Sequence, residues 1–283
     1  NGKQHAPLRP DVPTLKPGGQ YLLDAVIRTV KIGHLFTQGT VDSNEVWLEV
    51  TVTSGGRVIG ASGHMDNDRE VDPWSHFVNV FLLDVDGKRI DRRNPQDIFT
   101  PLYNHQIPPG AGQVVHYKLL LPEELDGPVT VEVKLNYRKF DKQYTDFIAR
   151  SRKSGDLDIR GLDPATGLLT NHLPVTVLAV DSVTFPVDGD SAVVKNEPSP
   201  VKPWMRWNDY GIGLFLKGKD EMRQATEAFA EVEKLGRFDG PLNMARAMFR
   251  EGRLSDAAAA LARASQHTDP AAPPWTIAWL SGL

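Results

Sequence analysis

The C-terminal part of the chain nearly repeats itself at a spacing of thirty-four residues, and this limits what that part can become. Phe215 is answered by Phe249, Gly218 by Gly252, Ala225 by Ala259, Ala228 by Ala262, and Gly211 by the equally small Ala245. Self-similarity at this period belongs to stacked helical hairpins. Such units cannot bury their apolar faces alone and do so against their neighbours. Helices are expected at 206–217, 221–235, 241–251, 255–266 and 274–281. Gly218 and Gly252 fall where each first helix must stop, since a left-handed stop is cheapest at glycine. Ser255 before Asp256 reads as an N-cap. The period identifies a tetratricopeptide-type segment of two repeats and the start of a third.

A different period governs what precedes it. Val46, Leu48, Val50 and Val52 alternate with Trp47, Glu49, Thr51 and Thr53. Val129, Val131, Val133, Leu135 and Tyr137 alternate with Thr130, Glu132, Lys134, Asn136 and Arg138. Both are patterns of half-buried strands. Segments 76–85 and 114–121 are apolar on both sides and are expected as central strands; 22–32 and 175–185 complete the set. Turns at Ser54-Gly-Gly56, Asp86-Gly87, Pro108-Pro-Gly110 and Asp126-Gly-Pro128 separate them. The expected class is an all-β antiparallel sandwich, jelly-roll or immunoglobulin-like, followed by a small all-α repeat domain. A short helix is expected over 140–152 and a long loop over 154–173. The organisation reads as an extended lead-in at 1–19, a sandwich domain at 20–187, a Pro-rich linker at 188–203 and helical repeats at 204–283.

The length of 283 residues accommodates two cores. A net charge of −4 supplies no basic field for nucleic acid or anionic membrane. No apolar run reaches the roughly 18–20 residues of a membrane span. The absence of cysteine excludes disulfides, thiolate chemistry, Cys-ligated zinc and a Cys-x-x-Cys-His haem attachment within these residues. Asn1-Gly-Lys-Gln-His5 carries no initiator Met or signal peptide, and 274–283 begins like a third repeat helix. A longer parent protein is therefore expected.

Histidine is the unusual resource. Five of the eight lie between positions 34 and 116: His34, His64, His76, His105 and His116. Gathered on neighbouring strands, such rings would suit copper, zinc or iron; a loop histidine can also be an axial ligand of a haem bound elsewhere. Against this, none shows the i, i+4 or His-x-His spacing that fixes two ligands locally, and each ring can be hydrogen-bonded separately. Asp42-Ser-Asn44-Glu45, Asp66-Asn-Asp68-Arg-Glu70 and Asp84-Val-Asp86-Gly87 offer oxygen ligands without a full calcium-loop pattern; the last fits a hairpin turn better. No nucleophile elbow, P-loop or dinucleotide glycine pattern occurs. Trp47, Tyr117, Tyr137 and Arg138 can line a sugar or peptide groove, or serve as core. In the repeats, Arg206, Asn208, Arg246, Arg250 and Arg253 are candidates for a concave face that would suit an acidic peptide.

Gly33-His-Leu-Phe-Thr-Gln-Gly39, followed by Asp42-Ser-Asn-Glu-Val-Trp-Leu-Glu-Val50, resembles the Gly-His-x-Phe-Pro-x-Gly opening of a β-sandwich found after the haem-binding part of multihaem c-type cytochromes. Asp91-Arg-Arg-Asn-Pro-Gln-Asp97, Tyr103-Asn-His-Gln-Ile-Pro-Pro-Gly110 and Val115-His-Tyr117 resemble the same region, and tetratricopeptide repeats follow in some such proteins. Thr37 stands where the motif has Pro. The resemblance implies a periplasmic or extracytoplasmic setting and haem supplied by an N-terminal region outside these residues. It carries a haem-facing or metal-binding role to His34 and His105. The function expected is a non-catalytic scaffold of a larger electron-transfer protein, the repeats docking a protein partner. The rivals are a histidine-liganded copper or iron enzyme and a carbohydrate- or peptide-binding sandwich.

Overall fold

The computed structural model describes residues 2–37, 39, 43–153, 163, 165–166 and 173–283. Eight strands come first: β1 (Gln20–Arg28), β2 (Glu45–Ser54), β3 (Arg57–Ser62), β4 (Val80–Leu83), β5 (Thr100–Asn104), β6 (Gly112–Leu120), β7 (Val129–Arg138) and β8 (Thr176–Phe185). Among the described residues one helix, α1 (Lys142–Ser151), lies between β7 and β8. Five more follow: α2 (Pro203–Lys217), α3 (Met222–Lys234), α4 (Asp239–Arg250), α5 (Leu254–Ser265) and α6 (Pro274–Ser281).

All strand pairs are antiparallel. The main sheet has the order β3-β2-β7-β8, while β1 pairs with β6 and β4 with β5. The alternation decides how they stack. Odd positions of β1 (Tyr21, Leu23, Ala25, Ile27) join the apolar clusters built from β2, β7 and β8. Even positions of β1 and β6 face the other way, toward α2: Val114 shares a cluster with Leu214, Ala225 and Phe229. The result is three layers, the main sheet, the β1–β6 pair and the helices.

Glycine makes the third layer possible. A Cβ on Gly213 would stand 2.7 Å from Val114 Cγ2 and 2.9 Å from the Val114 nitrogen, and one on Gly112 would stand 2.8 Å from the Asp209 carbonyl oxygen. Arg28 pairs with Asp209 at 2.7 Å beside this seam.

Several expectations are corrected. Segment 76–85 is not one central strand: Phe77 makes a single bridge to Trp47 of β2, and Val80–Leu83 forms a strand in the two-stranded ribbon with β5. Segment 114–121 forms β6, whose strand partner is β1 alone among the described residues. β3 and β5 were not expected; Gly60 and Pro101 mask their periodicity. Of the two places open to Trp47, groove lining or core, the structure gives it the second: it is 1% exposed. The segment around 63–77 covers its face of the sheet, with Trp47 Nε1 donating to the Gly63 carbonyl at 3.0 Å. The lead-in is tied to the sheet, Leu15 being buried and bridged to Val187. Loop 154–173 falls mostly outside the described residues, as does Asp42.

The helices lie close to the expected spans, and α2 ends at Gly218 with φ 111°. The thirty-four-residue spacing holds for the first helices, where Gly211 and Ala245 are both buried, but not for the second. Ala225, Ala228, Phe229 and Val232 of α3 are matched in burial by Ala257, Ala260, Leu261 and Ala264 of α5, an offset of thirty-two. Ala259 and Ala262 are exposed. A 3-10 turn at Lys219–Glu221 follows Gly218, whereas Arg253 alone separates Gly252 from α5. Ser255 accordingly lies inside the first turn of α5, with Arg253 at the N-cap.

Candidate functional site

The histidines divide by environment. His76 and His105 come together with rings stacked at 4.6 Å and an interplanar angle of 22°. Tyr103 stacks on the other face of His105 at 4.4 Å, and Phe81 continues the row at 5.5 Å from Tyr103. The antiparallel pairing of β4 with β5 sets Phe81 opposite Tyr103. His105 Nδ1 bonds to the Phe77 carbonyl at 2.9 Å, which fixes the Nδ1–H tautomer. His76 Nε2 lies 3.1 Å from Gln113 Oε1.

Burial lowers the pKa of His76, with His105 and the Lys217 ammonium adding to the effect against the Gln113 bond, and the value falls to about 4. His105 is lowered by burial and by Lys217, opposed by its bond to Phe77. Both rings are therefore neutral at pH 7. Neutral imidazole is the ligating form, but the lone pairs lie in the ring planes, and two nearly parallel rings do not aim them at one point. Among the described residues, no group of three or more His, Asp or Glu side chains is arranged to hold a metal ion.

His116 belongs to a second cluster, on the face toward α2. Its Nδ1 lies 2.6 Å from Asp24 Oδ1, and Tyr210 donates to the other Asp24 oxygen at 2.8 Å. His116 Nε2 is 3.5 Å from Glu221 Oε1. Lys217 sits between the clusters: burial lowers its pKa while Glu221 and Asp24 raise it. Burial and then Asp24 raise the Tyr210 phenol. Burial raises Asp209 to about 6 against the pull of Arg28. The junction between β1–β6 and α2 thus sets polar groups beside the apolar contact of Val114 with Leu214 along the glycine seam.

His34 and His64 stand apart. His34 is exposed and bonds to its neighbour Leu35 through Nδ1 at 2.8 Å. Phe36 pairs antiparallel with Ile107, so the two segments bearing His34 and His105 do meet. That pairing runs His34 toward Pro109 and away from His105. His64 lies 3.8 Å from Glu49 Oε1 on the outer face of the main sheet.

The alternation gave no hint of the buried ion pair on that outer face. Arg138 is 0% exposed. It donates to Glu45 and, at 2.8 Å, to the Arg69 carbonyl, with Trp47 beneath it. Arg89 pairs with Asp141 at 2.8 Å nearby. Burial pushes Glu45 up to about 7 against Arg138. Two charged residues in register on paired strands, Glu45 opposite Arg138, were the available signal.

The arginine candidates of the helices are all engaged within the chain. Arg206 donates to the Leu8 carbonyl at 2.6 Å and Arg250 to the Phe215 carbonyl at 3.1 Å. Arg253 pairs with Glu251 and Asp256. Asn208, Asn243 and Arg246 form a chain across α2 and α4, with contacts of 2.8 and 2.7 Å.

No protein-family model and no curated protein matches the chain. Among solved structures, a penta-heme cytochrome c552 from Thermochromatium tepidum is similar at a TM-score of 0.38 and 15% identity, over 59% of this chain and 36% of that one. The chain thus spans about a third of the length of that structure.

Proposed function

We propose that the chain is a non-catalytic scaffold and interaction module of a larger multihaem cytochrome-type electron-transfer protein, in a periplasmic or extracytoplasmic setting. In this reading the strands form a sandwich of jelly-roll or immunoglobulin-like type that packs on the haem region. The helices form tetratricopeptide-like repeats that dock a protein partner, with Arg206, Asn208, Arg246, Arg250 and Arg253 on the recognition face. The observation that carries the reading is the seam at Gly112 and Gly213, which fastens the helices to the β1–β6 layer. A module held this way keeps a bound partner at a set position relative to the strands. The electron-transfer context rests on the resemblance of the segments around His34 and His105, and their meeting through Phe36 and Ile107 supports treating them as one unit. No helix among the described residues is long and apolar enough to cross a membrane.

The test is to isolate the native polypeptide from its source and assay it for covalent haem. Haem on the polypeptide that contains these residues supports the reading, and a haem-free polypeptide removes its electron-transfer half. The metalloenzyme rival would require the stacked His76 and His105 rings to turn their lone pairs toward one ion. One equivalent of copper or iron in the purified chain, lost in His76→Ala plus His105→Ala, would establish it instead.

A further inference from the structure

Among the described residues, the outer edge of β8 has no strand paired to it, β7 being its one partner. At its C-terminal end the edge is closed by a side chain: Thr184 N–H donates to Asn196 Oδ1 at 2.9 Å, and Asn196 Nδ2 donates to the Thr184 carbonyl at 2.8 Å. The backbone of Thr184 therefore points away from β7. Alternation puts Ser182 and Val180 in the same phase. Ser182 N–H is taken by Asp181 Oδ1 at 2.9 Å. The register shift at Leu135/Asn136 sets Val177, opposite Asn136, in that phase as well. Val177 and Val180 are thus left with outward-facing backbone groups, and among the described residues 176–183 make no backbone–backbone hydrogen bond outside the sheet.

The side chains point to the same use. Val177, Leu178 and Val180 are 51%, 45% and 60% exposed. Lysine and proline, two of the protections of an edge, are missing from β8, and its bulge leaves Val177 and Val180 both facing outward. Its one charge, Asp181, is held by Arg9 at 2.7 Å.

We propose that two copies of this chain associate through β8, antiparallel about a two-fold axis between Leu178 and Ala179, joining their main sheets into one. In this register Val177 of each copy faces Val180 of the second copy, so both outward pairs are satisfied. Asp181 faces Thr176 rather than another carboxylate, and the ends closed by Asn196 stay clear. The spacing of Val177 and Val180 across the bulge makes the edge self-complementary in hydrogen bonding, with no carboxylate opposite another, and this selects a second copy. The contact is one short strand pair, well under the ~1,200 Å² of a standard interface, so the dimer is weak. The proposal does not depend on the functional reading above.

Sedimentation velocity on the full chain from about 5 to about 200 µM spans weak association. Mass rising toward the dimer is expected, with Leu178→Lys plus Val180→Lys weakening it at least tenfold while circular dichroism is unchanged. A monomer throughout, or a dimer that survives both lysines, overturns the proposal. Because the chain has no cysteine, Val177→Cys plus Val180→Cys gives an independent readout. Oxidation should trap a covalent dimer, whereas Val58→Cys on β3, the opposite edge, should leave monomer. Equal trapping at both edges, or none at β8, refutes the contact.

Discussion

Replacing Gly213 by alanine tests the layered arrangement through the sign of a stability change. In a helix facing water this substitution stabilises by about 1 kcal/mol, because alanine has less backbone freedom to lose. Here the added methyl would stand 2.7 Å from Val114 Cγ2, 2.9 Å from the Val114 nitrogen and 3.2 Å from the Gln113 carbonyl carbon. Carbon contacts are comfortable near 3.5–4 Å, and two of these three atoms are backbone that cannot rotate away. Forcing a methylene-sized group into such a space costs about 1–3 kcal/mol. With the helical gain subtracted, a net loss of about 1 kcal/mol is expected. Urea unfolding followed by tryptophan fluorescence and circular dichroism reads it as a midpoint lowered by roughly 0.5 M, at a slope of about 2 kcal/mol per molar. Leu216→Ala, on an exposed part of α2, should stay within about 0.5 kcal/mol of the parent. A midpoint that rises for Gly213→Ala would falsify the packing of α2 against β6.

Because the folded state holds His76 near pKa 4 against an ordinary 6.5, its contribution is fully present above pH 6.5. It is lost as pH falls toward 4, by about 3 kcal/mol at most. Comparing the pH dependence of urea midpoints for the parent and His76→Phe isolates this, since Glu45 and Asp209, with raised values, act in the opposite direction over the same range. A parallel pair of curves would refute the assignment. Glu45→Ala leaves Arg138 buried and unpaired and should cost about 3–5 kcal/mol, while Glu45→Met with Arg138→Met should recover most of it. Calorimetry of the single and double variants checks this. Tyr210→Phe removes one bond to Asp24 and should cost about 1–2 kcal/mol by the same measurement.

The strands and helices with clean periods were legible from the residues. β2, β7 and α2–α5 fall within a few positions of expectation because one face of each meets a core. β5 was not legible, and β4 was read too long and as a central strand, because a two-stranded ribbon imposes no consistent burial on either face. The histidine pair was half legible. Clustering in the sequence marked His76 and His105 as candidates, but so did it mark His34 and His64, which stand apart. What separates them is the pairing of β4 with β5 and the approach of Lys217 at the end of α2, both long-range facts. The Arg138–Glu45 pair was hidden because alternation assigns both to a solvent face that the 63–77 segment covers.

The mismatch between the two hairpins has a consequence for how α5 tolerates insertion and deletion. Its inward positions are Ala257, Ala260, Leu261 and Ala264, but Ala258, Ala259 and Ala262 lie between them. Shifting the inward set back two positions would offer Ser255, Ala258, Ala259 and Ala262 to α4, and forward one Ala258, Leu261, Ala262 and Ser265, whereas the other small shifts would bring Arg263 inward. α3, anchored by the large Phe229 against Gly211, has no such slack. A length change near Gly252 is therefore absorbed only where it selects one of those two frames, whereas any such change after Gly218 would dislodge the Phe229 ring from Gly211.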